Sequence, residues 1–437
     1  MDYSRMRGYY TWRDIPSLLR TSMGRRHLWR AILRRLWPLL QRLAMIYRRT
    51  ALRHTHLVVV TGSFGKTTTA RAISVALGGT DRDVNPYNFM SHVALAILKT
   101  PPWRRFAVIE AAIDGEGQMI QYAKTIRPDV AVVTCIGSEH NRSLGSLQST
   151  RNEKVKILAG LAPGGVAVLN GDDPNVRWMA TQTQNRIITF GLGEMNDVRA
   201  TDITLDWPKG TRFTVLAYGE SREIIIRLVG RHMVYPILAA IATALAQGFP
   251  FEQILPPLQK LSPTPGRLEP IRLPNGAVIL RDDFKSPLET IHAALDLFSQ
   301  IPAKRRMVVL GEVSEPPGSQ GPIYREIGER IASVASRAIF IGGSFQPYAA
   351  GAKRGGLPSS SMMNAERSAL KAVELLRKEL RPGDVVLIKG RDTQRLDRIT
   401  LSLMGRIVHC KLTFCNAWAF RCEHCPMLER EGREKAL

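Results

Sequence analysis

An apolar strand that runs directly into a glycine turn and then a helix constrains this fold more than any other feature. Residues 57–69 read Leu-Val-Val-Val-Thr-Gly-Ser-Phe-Gly-Lys-Thr-Thr-Thr. Glycines in such a turn let backbone N–H groups approach phosphate oxygens at the positively polarised end of the following helix. Lys66 would bridge the β- and γ-phosphates of a nucleotide, and the Thr67 hydroxyl would bind Mg²⁺. The predicted nucleotide contacts in this loop are Gly62, Ser63, Gly65, Lys66, Thr67 and Thr68.

This loop is a compact variant of the phosphate-binding motif. Val60 stands where the longer motif has its first glycine. The alternative interpretation is an ordinary glycine turn followed by a lysine that has no phosphate role. The strand before the turn and the helix pattern after it favour the nucleotide loop.

The rest of the chain alternates short apolar runs with helical patterns, which is typical of parallel sheets covered by helices. With 437 residues and 44% hydrophobic content, the chain can bury two or three cores. A proline-rich segment at 256–266 separates two such sets and reads as a linker. The predicted strands are 57–61, 106–111, 130–136 and 166–170 before it, and 277–280, 307–310, 338–342 and 385–389 after it.

The first 54 residues form a basic arm. They carry thirteen arginines, no lysine and two acids, which accounts for +11 of the net charge of +23. The longest apolar stretch, 36–47, contains Arg42 and is too short to span a bilayer. We therefore expect a cytoplasmic protein. Apolar residues recur at helical spacing, and the predicted stripe is Leu28, Ile32, Leu36, Leu39, Leu43 and Tyr47.

Two interpretations of this arm remain open. The stripe would enter the inner face of the membrane while the arginines meet anionic headgroups, or the same stripe would pack on the nucleotide-binding domain. In either case Pro38 is expected to kink or split the helix.

Four of the five cysteines fall near the C-terminus. In a reducing compartment such a cluster indicates metal binding before disulfides. A tetrahedral zinc site and a set of free thiols are both compatible with the spacing, which contains a single Cys-x-x-Cys. The candidate zinc ligands are Cys410, Cys415, Cys422 and Cys425.

The ordered motifs resemble the Mur ligases of bacterial cell-wall synthesis. The resemblance covers residues 55 to about 408 and implies an ATP-dependent ligase that activates a carboxylate as an acyl phosphate and joins it to an amine. It also implies a P-loop-type central domain and a Rossmann-like C-terminal domain. The matching elements are the loop, Asn85, Asn88, Val108-Ile109-Glu110, Glu139-His140, Glu153-Lys154, Asn170-Gly171-Asp172-Asp173-Pro174, Gly230-Arg231-His232 and Pro265-Gly266-Arg267-Leu268-Glu269.

The same resemblance implies roles for individual residues. Lys66, His140, Lys154 and Arg267 are the expected catalytic residues, and Asn170, Asp282 and Lys285 the further nucleotide contacts. Magnesium is expected at Thr67, Glu110, His140 and a carbamylated Lys154. Lys156 is a rival for Lys154, and Asp283 for Asp282. Bringing a carboxylate to a polyphosphate gathers negative charge, so a ligase needs these cations.

The predicted domains are the arm at 1–54, the ATP-binding domain at 55–260, the C-terminal ligase domain at 261–408 and a Cys-rich tail at 409–437. The element Lys389-Gly390-Arg391 resembles the branch that adds D-alanyl-D-alanine. Only the arm precedes the phosphate loop, so the resemblance does not extend to a UDP-sugar domain.

The predicted function is to add an amino acid or dipeptide to a cell-envelope precursor, with ATP and Mg²⁺. The alternatives are a non-catalytic nucleotide-binding scaffold at the membrane and a nucleic-acid-dependent NTPase. The arm lacks the aromatic and glycine platforms of single-strand binding, so no specific nucleic-acid partner is expected.

Overall fold

The computed structural model describes residues 15–20, 22–85, 88, 90–138, 141–316, 318–415 and 421–430. It contains an N-terminal helical region, two α/β domains with mainly parallel sheets, and a tail that follows the second domain. The prediction of a parallel-sheet central domain and a second α/β domain is confirmed. Within the described residues, no helix combines the length and apolarity needed to cross a bilayer.

The N-terminal region consists of α1 (Ile15–Arg20), α2 (Ser22–Arg35) and α3 (Trp37–Arg49). The helix is split around Leu36, and Pro38 lies in the first turn of α3, where a missing N–H is tolerated. One face of α3 packs on the central domain. Ala44 and Arg48 are buried there, and the Tyr47 hydroxyl donates to the Thr100 carbonyl at 2.9 Å.

A second face of α2 and α3 is exposed and apolar. Tyr47, a member of the predicted stripe, packs on the central domain, whereas Trp29 and Ile46, which the prediction left out, are 58% and 60% exposed. The exposed stripe is Trp29, Ile32, Leu36, Leu39, Leu43 and Ile46. One face of these helices therefore packs on the central domain, as one of the two interpretations predicted, and a second apolar face is exposed.

The central domain is built on an eight-stranded sheet in the order β2-β1-β3-β4-β5-β6-β7-β8. Strands β1 to β6 pair in parallel, and β6, β7 and β8 form an antiparallel meander. The first four strands are continuous apolar runs because helices cover both of their faces. The strands are β1 (His56–Thr61), β2 (Phe106–Glu110), β3 (Val130–Val133), β4 (Val166–Asn170), β5 (Arg186–Gly191), β6 (Val198–Asp206), β7 (Gly210–Ala217) and β8 (Glu220–Ile226).

Two hydrophobic cores flank this sheet, one on each face. The helices are α4 (Lys66–Ala76), α5 (Met90–Leu98), α6 (Gln118–Ile126), α7 (Asn141–Leu144), α8 (Leu147–Lys154), α9 (Pro174–Ala180), α10 (Val234–Ala246) and α11 (Phe251–Lys260). The predicted linker begins too early, since α11 includes Pro256 and continues to Lys260. Burial of Ile254 and Leu258 in the core offsets the missing N–H groups.

The C-terminal domain has a six-stranded sheet in the order β13-β12-β11-β14-β10-β9, parallel except for the edge strand β9. Its strands are β9 (Glu269–Arg272), β10 (Val278–Asp282), β11 (Arg305–Leu310), β12 (Arg337–Phe340), β13 (Met362–Asn364) and β14 (Asp384–Lys389). Its helices are α12 (Leu288–Gln300), α13 (Gln320–Val334), α14 (Phe345–Arg354), α15 (Ala369–Glu379) and α16 (Asp397–Leu403).

Polar contacts join the two domains beside the phosphate loop. Ser138 donates from its backbone and its hydroxyl to Glu289, at 2.8 and 2.7 Å. Thr264 of the linker lies 3.0 Å from the Thr68 hydroxyl and accepts from Arg71 at 2.7 Å. The loops at the carboxyl ends of both sheets therefore border one space, where ligands of α/β proteins bind.

Candidate active site

The phosphate loop connects β1 to α4, which begins at Lys66. Gly62 has a φ of 140°, and a Cβ there would lie 2.0 Å from the Thr134 hydroxyl, so only glycine fits. The Lys66 ammonium turns back over the loop and donates to the carbonyls of Gly62 and Ser63, at 2.8 and 3.0 Å. Burial lowers the pKa of Lys66 to about 8, against the opposing attraction of Glu110.

A hydroxyl and a carboxylate meet beside this loop. Glu110 ends β2, the direct neighbour of β1, and is buried. The Thr67 hydroxyl donates to one of its oxygens at 2.9 Å, and the Asn88 amide donates to the other at 2.7 Å. These are hard oxygen ligands of the type that Mg²⁺ prefers.

Lys154, the last residue of α8, is buried against the loop and donates to the Ser63 hydroxyl at 3.1 Å. Burial, and then repulsion from Lys66, lowers its pKa well below the ordinary lysine value. Lys156, the rival candidate, is 42% exposed and pairs with Glu153 at 2.5 Å. The structure therefore directs Lys154, and not Lys156, toward the phosphate loop.

The C-terminal domain contributes two further cations. Desolvation lowers the pKa of Arg267, which lies near Glu110 and Asp282. Burial and repulsion from Lys66 lower the pKa of Lys285 to about 8, and Glu110 opposes that shift. Three lysines and one arginine from the two domains are thus clustered: Lys66, Lys154, Lys285 and Arg267. Because like charges repel, a polyphosphate would stabilise this cluster.

Asp282 and Asp283, the alternative nucleotide contacts, face different partners. Lys389 bridges Asp282, at 2.7 Å, and the Lys285 carbonyl, at 2.7 Å. Asp283 instead accepts from Arg281 at 2.8 Å. Of the two carboxylates, Asp282 is the one whose charge opposes the lowering of the Arg267 pKa.

Asn170 supports the loop from behind. Its amide donates to the Thr134 carbonyl at 2.8 Å, and its oxygen accepts from the backbone of Asp172 at 3.1 Å. Thr134 in turn donates to the Phe64 carbonyl of the loop at 2.6 Å. Through these bonds Asn170 fixes the position of the strand end that contacts the phosphate loop.

Sequence comparison identifies a family. The model of the Mur ligase middle domain matches residues 60–244, and that of the Mur ligase glutamate ligase domain matches residues 266–391. The UDP-N-acetylmuramoyl-tripeptide–D-alanyl-D-alanine ligase of Bacillus subtilis is 30% identical, over 84% of this chain and 79% of that protein. The chain belongs to the Mur ligase family.

Further relatives agree with this assignment. The Synechocystis ligase of the same name is 29% identical, over 80% of this chain and 74% of its own length. MurF from Acinetobacter baumannii has the same fold, with a TM-score of 0.74 at 23% identity, covering 85% of this chain and 81% of that one. MurF from Thermotoga maritima, in complex with ADP, has a TM-score of 0.72 at 22% identity, covering 84% and 83%.

The chain is thus an ATP-dependent, ADP-forming ligase of the Mur type, which joins a carboxylate to an amine, as predicted. The site fits ATP and Mg²⁺. A side chain at position 62 would collide with Thr134, so the loop backbone stays open there; the Thr67 hydroxyl meets a Glu110 oxygen, and buried Lys66 and Lys154 lie against the loop.

The remaining predicted ligands have different outcomes. His140 lies outside the described residues, so its role in this Mur ligase stays a prediction.

A zinc site in the tail is not supported, because in the described part of the chain no three Cys, His, Asp or Glu side chains converge to hold a metal. Separate backbone contacts fix the tail: the Cys415 N–H donates to the Thr393 carbonyl, and the Cys422 N–H donates to Asp397. All five cysteines are free thiols.

Sequence reasoning missed several residues that shape this site. Glu289 joins the two domains, and Tyr235 donates to Asp172 at 2.8 Å. Burial lowers the pKa of His232 to about 4 beside Asp282, so this histidine is neutral at pH 7. Gly230-Arg231-His232 resembles a family motif in sequence, but no sequence pattern indicates that His232 lies beside Asp282.

Proposed function

We propose that this ligase adds a D-alanyl-D-alanine dipeptide to the peptide carboxylate of a cell-wall precursor. The names of the curated relatives support this choice, since they give that dipeptide and a UDP-N-acetylmuramoyl-tripeptide. One observation carries the proposal. Lys66 and Lys154 of the central domain and Arg267 and Lys285 of the C-terminal domain gather around one phosphate loop.

In the proposed reaction, a carboxylate oxygen of the acceptor attacks the γ-phosphorus of ATP, and the bond from that phosphorus to ADP breaks. The dipeptide amine then attacks the acyl carbon, inorganic phosphate leaves and the amine loses a proton. Lys66, Arg267 and Lys285 offset the negative charge gathered when the carboxylate approaches the triphosphate. Thr67 and Glu110 would hold Mg²⁺, which supplies further charge neutralisation.

Lys154 would act as a carbamate in this scheme. Its lowered pKa favours the neutral amine, which attacks CO₂, forming an N–C bond and releasing a proton. The product is an anion, so Lys66 would attract a group that it repels as an ammonium. The carbamate would offer oxygen ligands for a metal shared with His140.

Carbon-13 NMR tests the carbamate without relying on activity. Protein equilibrated with labelled bicarbonate should give a carbamate resonance that Lys154→Ala removes and Lys156→Ala retains. A resonance that instead disappears with Lys156→Ala would refute the assignment.

ADP release tests the ligase reaction. With ATP, Mg²⁺ and a muramoyl-tripeptide acceptor, release should require D-alanyl-D-alanine and be much slower with L-alanyl-L-alanine. Release without acceptor or amine would contradict the proposed reaction. Release that depended on added DNA would favour the nucleic-acid-dependent NTPase instead.

We also propose that the exposed stripe of α2 and α3 holds the enzyme on an anionic membrane surface. The stripe repeats at intervals of three and four residues, which keeps its side chains on one side of the helices. Arg35, Arg42 and Arg49 are exposed alongside it. No acidic residue occurs between Asp14 and Asp81, so nothing in these helices opposes anionic headgroups.

Vesicle sedimentation tests this membrane surface. The full chain should bind phosphatidylglycerol vesicles at low salt and release them as salt rises. Ile32→Glu should weaken binding, whereas Ile225→Glu should not, although both isoleucines are 39% exposed. Equal binding by the two variants would exclude the stripe as the membrane surface.

A further inference from the structure

The chain beyond α16 returns to the C-terminal domain, outside the residues matched by either family model. Its described part, 404–415 and 421–430, is here called the tail. Arg398, which is buried, donates to the Leu412 carbonyl at 2.6 Å, and the Cys422 backbone donates to Asp397 at 3.0 Å. Leu428 is buried. These contacts fix the tail against α16.

The fixed tail brings Arg421 next to the active site. Its guanidinium lies 5.7 Å from the centre of the Phe284 ring. Arg267, the arginine of the phosphate site, lies 4.7 Å from the centre of the same ring. Both distances are within the range of cation–π attraction. Phe284 is thus shared between a tail arginine and a site arginine.

Charged residues flank Phe284 in sequence, and each interacts with a different set of partners. Asp282 pairs with Lys389 at 2.7 Å, and repulsion from Lys66 of the phosphate loop helps to lower the pKa of Lys285. Asp283, between them in sequence, pairs instead with Arg281 at 2.8 Å.

Further charges from three elements surround this pair. Arg281 also lies 3.8 Å from Asp397 of α16 and 3.6 Å from Glu269 of β9. Arg421 of the tail adds a positive charge near Asp283. Burial raises the pKa of Asp283 to about 6, and both arginines oppose that rise.

We propose that Arg421 is a positioning residue for ATP binding: it holds Asp283 and Phe284 from outside the site, so that Arg267 and Lys285 are presented to the phosphates. The tail thereby becomes part of the nucleotide site without touching the nucleotide. The proposal concerns ATP affinity, so it does not depend on which acceptor or amine the enzyme uses.

Calorimetric titration of the full chain with ATP and Mg²⁺ tests this role. Arg421→Gln should weaken ATP binding by up to about fivefold, the limit set by the strength of one cation–π contact. Arg421→Lys, which keeps the charge, should recover part of that loss.

Arg406→Gln is the matched control. Arg406 is another tail arginine, and it donates to Glu429 at 2.6 Å and to the Glu423 carbonyl at 2.7 Å. If the tail had only a structural role, the two glutamine variants would lower the melting temperature alike and leave ATP affinity unchanged. That result, or equal weakening of ATP binding by both, would overturn the proposal. Failure of the unmodified chain to bind ATP would overturn the nucleotide site together with it.

Discussion

Replacing Arg48 by methionine should lower the melting temperature of the central domain, because this arginine joins α3 to the domain. It is only 7% exposed. Its guanidinium donates to the carbonyls of Ile126, Leu52, Thr55 and Arg127 at 2.7–3.1 Å. It also pairs with Asp129 at 2.7 Å.

The substitution leaves these carbonyls and a partly buried carboxylate without their cation. Breaking a buried ion pair from one side costs about 3–5 kcal/mol. For a domain of this size each kcal/mol corresponds to roughly 2–4 °C, so the first thermal transition should fall by about 6–20 °C.

Scanning calorimetry of the full chain measures this shift. Arg49→Met is the control, because Arg49 is the next residue of α3 and is exposed. It should change stability by less than about 0.5 kcal/mol. If both variants melt at the same temperature as the unmodified protein, α3 is not part of the central domain, and the energetic argument from Arg48 is wrong.

Three other perturbations concern the chemistry. Lys66→Ala should abolish acyl-phosphate formation, seen as loss of ADP release, and near-normal turnover would contradict the mechanism. Activity of Lys154→Ala should be partly restored by short carboxylic acids, whereas Lys156→Ala should need no rescue; the opposite pattern would exchange their roles. The pKa values of about 8 for Lys66 and Lys285 mean that both ammonium groups lose protons as pH rises through 8. Because bound polyphosphate favours the charged forms, ATP binding near pH 8 should take up protons, measurable by calorimetry in buffers of different ionisation enthalpy, and an absence of uptake would contradict the lowered pKa values.

Local patterns were enough to predict the phosphate loop and the apolar parallel strands. The strand, the glycines and the lysine are adjacent in sequence, so their geometry follows from neighbouring residues. The meander β6 to β8 was missed because its strands are half-exposed and carry many polar residues, which weakens the apolar signal.

Other features depend on contacts between distant parts of the chain. Lys154 and Lys156 are equivalent in sequence, and only the position of α8 decides which one reaches Ser63. The arm has apolar residues on two faces, so periodicity alone could not show which face packs on the domain. The contact of Arg421 with Phe284 depends on the path of the tail, which no local pattern encodes.

The polar contacts between Ser138 and Glu289 and between Thr264 and Thr68 join two bodies whose cations repel each other. Lys66 lies on one side of that boundary, and Arg267 and Lys285 lie on the other. A triphosphate bound between them would offset this repulsion, so ATP affinity and the separation of the two domains should be thermodynamically linked. Salt weakens the repulsion by screening it, and also weakens the attraction of each domain for the triphosphate. We therefore expect ionic strength to change the domain arrangement and the nucleotide affinity together.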